Sequence, residues 1–380
     1  MAEASIHHRD RIGEQGLGRS LLDAGAVERR TYFLSGFDPR GIAHYQRLFQ
    51  AELRPLGWRL GRRRGERVLT RWPLQPRPPA TAGADPAGLE LCFLHWDDIA
   101  RSHWPRHPFT LLVRGVHFAR FYLLEGVCWR VARLCPGVAL CGAYPLIWLA
   151  LAAAVAAAAA LAIPAPWGWL LAALLLWGCW RGADALGVVW LSRSLLFTHR
   201  LGEARDRDLR ERVRELADAM LQLEDSCPAG RVRLVGHSSG SFVLAMLAAE
   251  LHRRVDAGGL LQKLELLTLG QNLANLAVYP GAGGFRQDLQ ELCRNPRIPW
   301  RDVTSRHDLL CFAGVNPFTS CGLPLPAGEP YPEMTLLNLR QARGLGRCGW
   351  LLQLFDLHFD YLRRGCPGVD LPGLLVGRDG

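Results

Sequence analysis

Residues 134–180 contain no Asp, Glu, Lys, Arg or His over 47 consecutive positions. A helix crossing a bilayer needs about 20 apolar residues, so this run is long enough for two. Pro164, Ala165 and Pro166 stand where a turn between two helices would fall, and Trp167, Trp169, Trp177 and Trp180 suit membrane interfaces. The second span is the shorter. It is expected to continue past Arg181 and Asp184 toward Trp190, with Arg181 snorkelling. The alternative is an alanine-rich soluble helix, because 152–160 is only weakly hydrophobic; the Leu, Ile and Trp on either side weigh against it. Arg114, Arg120, Arg130 and Arg133 precede the run, and Arg181, Arg193 and Arg200 follow it. Arginines at both ends predict a hairpin with both chain termini cytoplasmic, in a multi-pass membrane protein. Residues 108–134 mix aromatic and arginine residues and read as an interfacial helix leading in, with Trp96 and Trp104 as anchors nearby.

The 380-residue chain has a net charge of +10, and Lys263 is its only lysine. No basic tail, zinc spacing or RNA-binding motif accompanies the arginines, so nucleic acid is not an expected partner. Eleven scattered cysteines without a C-x-x-C pair argue against a disulfide framework. His95, Trp96, Asp97 and Asp98, with His103 and His107, match no ligand spacing, so neither a metal nor a cofactor is expected.

Outside the charge-free run, strands and helices alternate. Strand patterns occur at 31–35, 58–60, 68–72, 89–95, 231–235, 264–269, 300–304 and 334–339. Helical patterns occur at 43–53, 206–225, 241–255, 285–293 and 350–362. Such alternation predicts an α/β fold with a mainly parallel sheet and helices on both faces.

The stretch Val232-Arg233-Leu234-Val235-Gly236-His237-Ser238-Ser239-Gly240 reads as strand, then G-x-S-x-G, then helix. A serine hydroxyl is a poor nucleophile unless it is held in the open beside a base. A sharp strand-to-helix turn does this, and Gly236 and Gly240 remove side chains that would collide there. In this context the chain resembles the α/β-hydrolase superfamily, especially its lipases and esterases and their membrane-embedded bacterial members. The resemblance covers the soluble parts, roughly 30–107 and 201–365. It implies a sheet interrupted by a transmembrane hairpin. Residues 1–107 would be the N-terminal part of the hydrolase domain with its oxyanion loop, 108–200 the inserted membrane segment, and 201–380 the C-terminal part with the catalytic residues.

The resemblance further implies the order nucleophile, acid, histidine. Asp308 follows the strand at 300–304 in a loop, and His358 is the only histidine after it. The implied triad is Ser238, Asp308 and His358. The implied oxyanion donors are the amides of Ser239 and of Phe37, the latter in the loop Ser35-Gly36-Phe37-Asp38. An ordinary Asp-Pro turn would also account for Gly36, Asp38 and Pro39. His358 departs from the pattern by lying inside an apparent helix, where it could simply pack between Phe355 and Tyr361. The implied activity is acyl transfer on a lipid or acyl ester, without a cofactor. A catalytically silent scaffold of the same fold, or a serine thioesterase or peptidase, fits the same residues.

Overall fold

The computed structural model describes residues 27–65, 67–77, 88–294, 297–325, 330–342, 353–366 and 368–378. Nine strands form one mixed, mostly parallel sheet: β1 (Val27–Leu34), β2 (Trp58–Leu60), β3 (Arg64–Gly65), β4 (Leu69–Pro76), β5 (Leu89–Leu94), β6 (Ala229–His237), β7 (Leu264–Leu269), β8 (Trp300–Ser305) and β9 (Glu333–Leu337). The spatial order is β2-β4-β5-β1-β6-β7-β8-β9, with β3 beside β4. The strands β5, β1, β6, β7, β8 and β9 run parallel, whereas β2, β3 and β5 each pair antiparallel with β4.

Parallel strands need helical crossovers, and these cover both faces. Helix α1 (Ile42–Leu53) buries Tyr45, Phe49 and Leu53 on one face of the sheet. On the other face lie α7 (Arg207–Ser226) and α8 (Gly240–Arg253), whose apolar stripes join Tyr32, Leu34, Leu234 and Leu266 in the larger core. The sheet is thus sandwiched between two apolar layers.

Between β5 and β6 the chain leaves the sheet for about a hundred residues. It forms α2 (Pro108–Leu124), α3 (Val127–Leu134), α4 (Pro136–Ala162), α5 (Trp167–Ala185) and α6 (Val188–Gly202) before entering α7. The expected interfacial helix is two helices, broken at Gly126, whose φ of 75° ends the first one. Helix α4 has 27 residues, about 40 Å at 1.5 Å per residue, against an apolar bilayer core of about 30 Å. It is the one helix among the described residues that is by itself long and apolar enough to cross a membrane. Helix α5 does not continue straight toward Trp190 as the sequence predicts. The chain turns at Leu186 and Gly187 (φ 72°), and α5 and α6 meet at a 72° bend. Helices α4 and α5 pack together, with the Trp148 indole donating to the Cys179 carbonyl at 3.3 Å. Leu151, Leu161, Trp167, Trp169, Leu174 and Trp177 point outward and are exposed. Trp96, by contrast, is no interfacial anchor: it is completely buried.

Within the sheet, Asp302 of β8 is fully buried; the Thr268 hydroxyl donates to its Oδ1 at 2.6 Å, and Oδ2 has no hydrogen-bond partner among the described residues. Burial pushes this carboxyl up to about 7, only partly offset by the Thr268 hydrogen bond and the influence of Gln271. An unfolded aspartate titrates near about 3.9, so between about pH 4 and 7 the folded state holds a proton that the unfolded state has lost. Stability from this group therefore falls as pH rises through that window. Asp302→Asn should raise the thermal midpoint by several °C at pH 7.5 and leave it nearly unchanged at pH 4, as measured by thermal unfolding in detergent.

Candidate active site

The β1–β6 pair is a switch point: after β1 the chain crosses to the edge at β2 and returns inward through β4 to β5 on one side, and from β6 it builds outward through β7, β8 and β9 on the other. Crevices at the carboxyl ends of strands around such a switch point are where open α/β sheets bind ligands. The register pairs Leu34 with Gly236, so the loops leaving β1 and β6 emerge side by side. One carries Ser35, Gly36 and Phe37; the other carries Ser238 and Ser239.

Ser238 adopts φ 55°, the left-handed region that a serine occupies only under constraint. The constraint is visible. Its amide donates to the Leu269 carbonyl at 2.9 Å, and its carbonyl accepts from both the amide (3.0 Å) and the hydroxyl (2.6 Å) of Ser241. The flanking glycines meet the expectation drawn from the motif. A Cβ on Gly240 would lie 2.5 Å from the carbonyl oxygens of both Leu34 and Ser35. One on Gly236 would lie 3.0 Å from the Gly240 carbonyl oxygen and the Leu244 Cβ. The strained serine therefore depends on two backbones approaching more closely than a side chain permits.

Asp308 leaves β8 in the turn Ser305–Asp308 and is buried. His358 Nδ1 donates to Asp308 Oδ2 at 2.7 Å; the Tyr361 hydroxyl donates to the same oxygen at 3.1 Å, and the Leu310 amide to Oδ1 at 3.0 Å. Burial pushes the Asp308 carboxyl up, but the His358 charge and these hydrogen bonds outweigh it and hold it below the usual carboxylate range. An ionised Asp308 accepts from a hydrogen on His358 Nδ1, and in the neutral imidazole that tautomer places the lone pair on Nε2.

His358 is the last residue of a short helix, Leu354–His358, so the departure noted in the sequence resolves as a helix end rather than a helix interior. The residues 343–352 that lead to it lie outside the described ones. His237 secures it from below. The His237 Nε2–H donates to the His358 carbonyl at 2.8 Å, and burial, helped by the His358 charge, pushes the His237 imidazole down to about 3. His237 is thus a neutral support.

His358 and Ser238 line one cavity of about 40 Å³, together with Ser239 and Asn272. The buried Nε2 of His358 has no hydrogen-bond partner among the described residues, so the expected bond to the Ser238 hydroxyl is not made in this structure. Loose serine–histidine geometry is common without substrate. The Phe37 loop borders the serine closely: a Cβ on Gly36 would lie 3.0 Å from the Ser238 Cβ and 3.4 Å from its Oγ. The buried Trp96 indole fixes this loop by donating to the Ser35 carbonyl at 2.9 Å, and the Phe37 ring stacks on Phe197 at 4.6 Å.

The roof of the cavity comes from the helical insertion. Val138, Cys141 and Gly142 of α4 and Trp190, Leu191, Ser194, Leu195 and Thr198 of α6 face the serine and histidine. Nothing in the sequence links these residues to the site. Tyr361, three residues past His358, and Trp96, two past β5, were also missed as site supports. Four of the other histidines and acids singled out in the sequence are engaged elsewhere. His95 pairs with Thr70 and Asp97, His103 with Asp208, and Asp98 with Arg212, and they converge on no common point.

Comparison with protein-family models, with curated proteins and with solved structures found no match.

Because Gly240 permits the contact between α8 and the end of β1, Gly240→Ala should cost about 1–3 kcal/mol of stability, or more if the loops cannot part. It should also reduce Ser238 reactivity out of proportion to that loss. Thermal unfolding and active-site labelling of the same preparation would show both effects; an unchanged protein would mean the elbow is looser than it looks.

Proposed function

We propose that this protein is a membrane-anchored serine hydrolase of α/β-hydrolase type that acts by acyl transfer on a lipid or acyl ester. The observation that carries the reading is the convergence of three sequence-distant residues: Ser238 at positive φ on a strand-to-helix turn, and a buried Asp308–His358 pair whose histidine lines the same cavity as Ser238 and has no hydrogen-bond partner at Nε2 among the described residues. In the proposed reaction Ser238 Oγ attacks the carbonyl carbon while His358 Nε2 takes its proton. Asp308 holds the imidazole in the required tautomer and stabilises the imidazolium. The Ser239 and Phe37 amides hold the oxyanion. The imidazolium then gives its proton to the leaving alcohol. Water attacks the acyl-Ser238 ester with His358 again as base, releasing the acid and restoring the serine.

The substrate class is supported by what covers the site. A second, almost wholly apolar cavity of about 440 Å³ lies among α2, α4, α5 and α6, a volume typical of small-molecule sites. Leu195 of α6 lines both cavities. An acyl chain could occupy the apolar space with its carbonyl directed toward Ser238.

The same reading covers topology. The segments before and after the insertion share one sheet, so the inserted helices must return to the side from which they left. With α4 as one crossing and the bent α5–α6 pair as the other, both chain ends are assigned to the cytoplasm of a bacterial inner membrane. Reporters at the two termini should read cytoplasmic and one inserted at Ala165 should read external. Termini on opposite sides would rule out this arrangement.

Full-length protein in detergent should label covalently with a fluorophosphonate, and Ser238→Ala should abolish labelling while leaving the fold intact. His358→Ala and Asp308→Asn should each lower ester hydrolysis by about 10³–10⁴-fold or more, and neither should add much to Ser238→Ala. Absence of labelling in the wild type would point to a silent scaffold. Hydrolysis of thioesters or amides in preference to long-chain esters would reassign the substrate.

A further inference from the structure

A separate cluster of side chains joins the helical insertion to itself away from the triad. His199 and Glu203 stand four residues apart at the carboxyl end of α6, hence on one face of the helix. His117 reaches them from the middle of α2. The His117 Nε2 lies 3.3 Å from Glu203 Oε1, and the His199 Nε2 lies 3.7 Å from Glu203 Oε2. One donor atom from each residue can be chosen so that all lie within 4.8 Å of one another.

His199 makes this more than a surface ion pair. It is 3% exposed, packed among Phe118, Phe121 and Tyr279, and neither ring nitrogen has a hydrogen-bond partner among the described residues. A buried imidazole is normally satisfied by a protein group, a water or a metal. Around a tetrahedral ion with bonds of about 2.0–2.1 Å, neighbouring donors stand roughly 3.3–3.4 Å apart; the two His–Glu spacings are 3.3 and 3.7 Å and all three donors fall within 4.8 Å, so a modest side-chain adjustment would close the set on an ion. Two neutral imidazoles and one carboxylate are a ligand set typical of zinc, with a fourth position left for water. His117 is half-exposed and Glu203 partly exposed, which gives an entry path. The Arg205 guanidinium, 3.7 Å from Glu203 Oε2, is mostly exposed and free to swing aside.

We propose that His117, His199 and Glu203 form a binding site for one zinc ion that clamps α2 to α6. Residue 198, next to the ligand His199, lines the catalytic cavity, so the clamp holds the helix that roofs the site. The zinc has no part in the acyl-transfer chemistry.

The test uses full-length protein in detergent, freed of metal by a chelator and titrated with Co²⁺. One equivalent should bind and give the visible absorption of a nitrogen- and oxygen-ligated ion, without the intense near-ultraviolet bands of cobalt–thiolate bonds; Zn²⁺ should displace it. Zn²⁺ should raise the thermal midpoint of the wild type. His117→Ala, at an exposed position that should not disturb folding, and Glu203→Gln should each weaken binding at least 100-fold and remove the thermal shift. Non-stoichiometric binding, a thiolate spectrum, or unchanged affinity in His117→Ala would overturn the assignment. Fluorophosphonate labelling of Ser238 reports separately on the hydrolase reading, so either proposal can fail alone.

Discussion

The parallel pairing of β1 with β6 is the contact on which the rest of the molecule depends. It joins Val27–Leu34 to Ala229–His237 across two hundred residues, in a register that sets Leu34 against Gly236. Everything between them, including the apolar helices, is an excursion that must start and finish at one sheet. The same register brings the Gly36 and Ser238 loops into contact. Gly240 then allows α8 to close over the end of β1 at a distance no other residue would tolerate. The position of the strained serine is therefore a consequence of strand pairing.

The two ends of the strands bury charge for different purposes. At the amino ends, Arg30 is fully buried between Glu90 and Glu224, each at 2.6 Å, and Lys263 also binds Glu224 at 2.8 Å. Burial raises the Glu224 carboxyl, but Lys263 and Arg30 more than reverse this and keep it ionised. Such a network adds little net stability, because desolvation offsets the attraction, yet removing one partner would strand a buried charge. It ties α7 to the strands that follow and precede the insertion. At the carboxyl ends, the Asp308–His358 pair is equally buried, but the histidine lines a cavity and its Nε2 has no hydrogen-bond partner among the described residues. The first arrangement is fully paired; the second is not.

The insertion is built into the site. Leu309 and Leu310, which follow Asp308, pack against α4 and α6, and the Phe37 ring rests on Phe197 of α6. Any tilt of these helices would be felt by the Asp308 loop and by the loop beside Ser238. The cavity at the serine is only about 40 Å³, and helices of the insertion supply much of its wall. The bend between α5 and α6 supplies the geometry: it lets α6 leave the apolar bundle and lie across the mouth of the sheet.

Much of this was legible in the chain alone, because strand and helix periodicities, the glycines flanking Ser238 and the charge-free run are local properties. The eight strand patterns all correspond to strands, and chain order after Asp308 left His358 as the sole candidate base. Other features were not legible. The bend at Gly187, the break at Gly126 and the burial of Trp96 depend on what packs against them, and an apolar pattern looks the same under lipid as under protein. The antiparallel β4 and the reversal of strand order at β1 are pairing choices that periodicity cannot express. The roof over the cavity, the His237 support and the His117–His199–Glu203 cluster unite residues from about 40 to 220 positions apart. Composition and periodicity determined which segments would be strands, helices or apolar spans, since those follow from neighbours along the chain. Tertiary structure alone decided which of them would meet at Ser238, since contact between distant segments is set by sheet register and close packing.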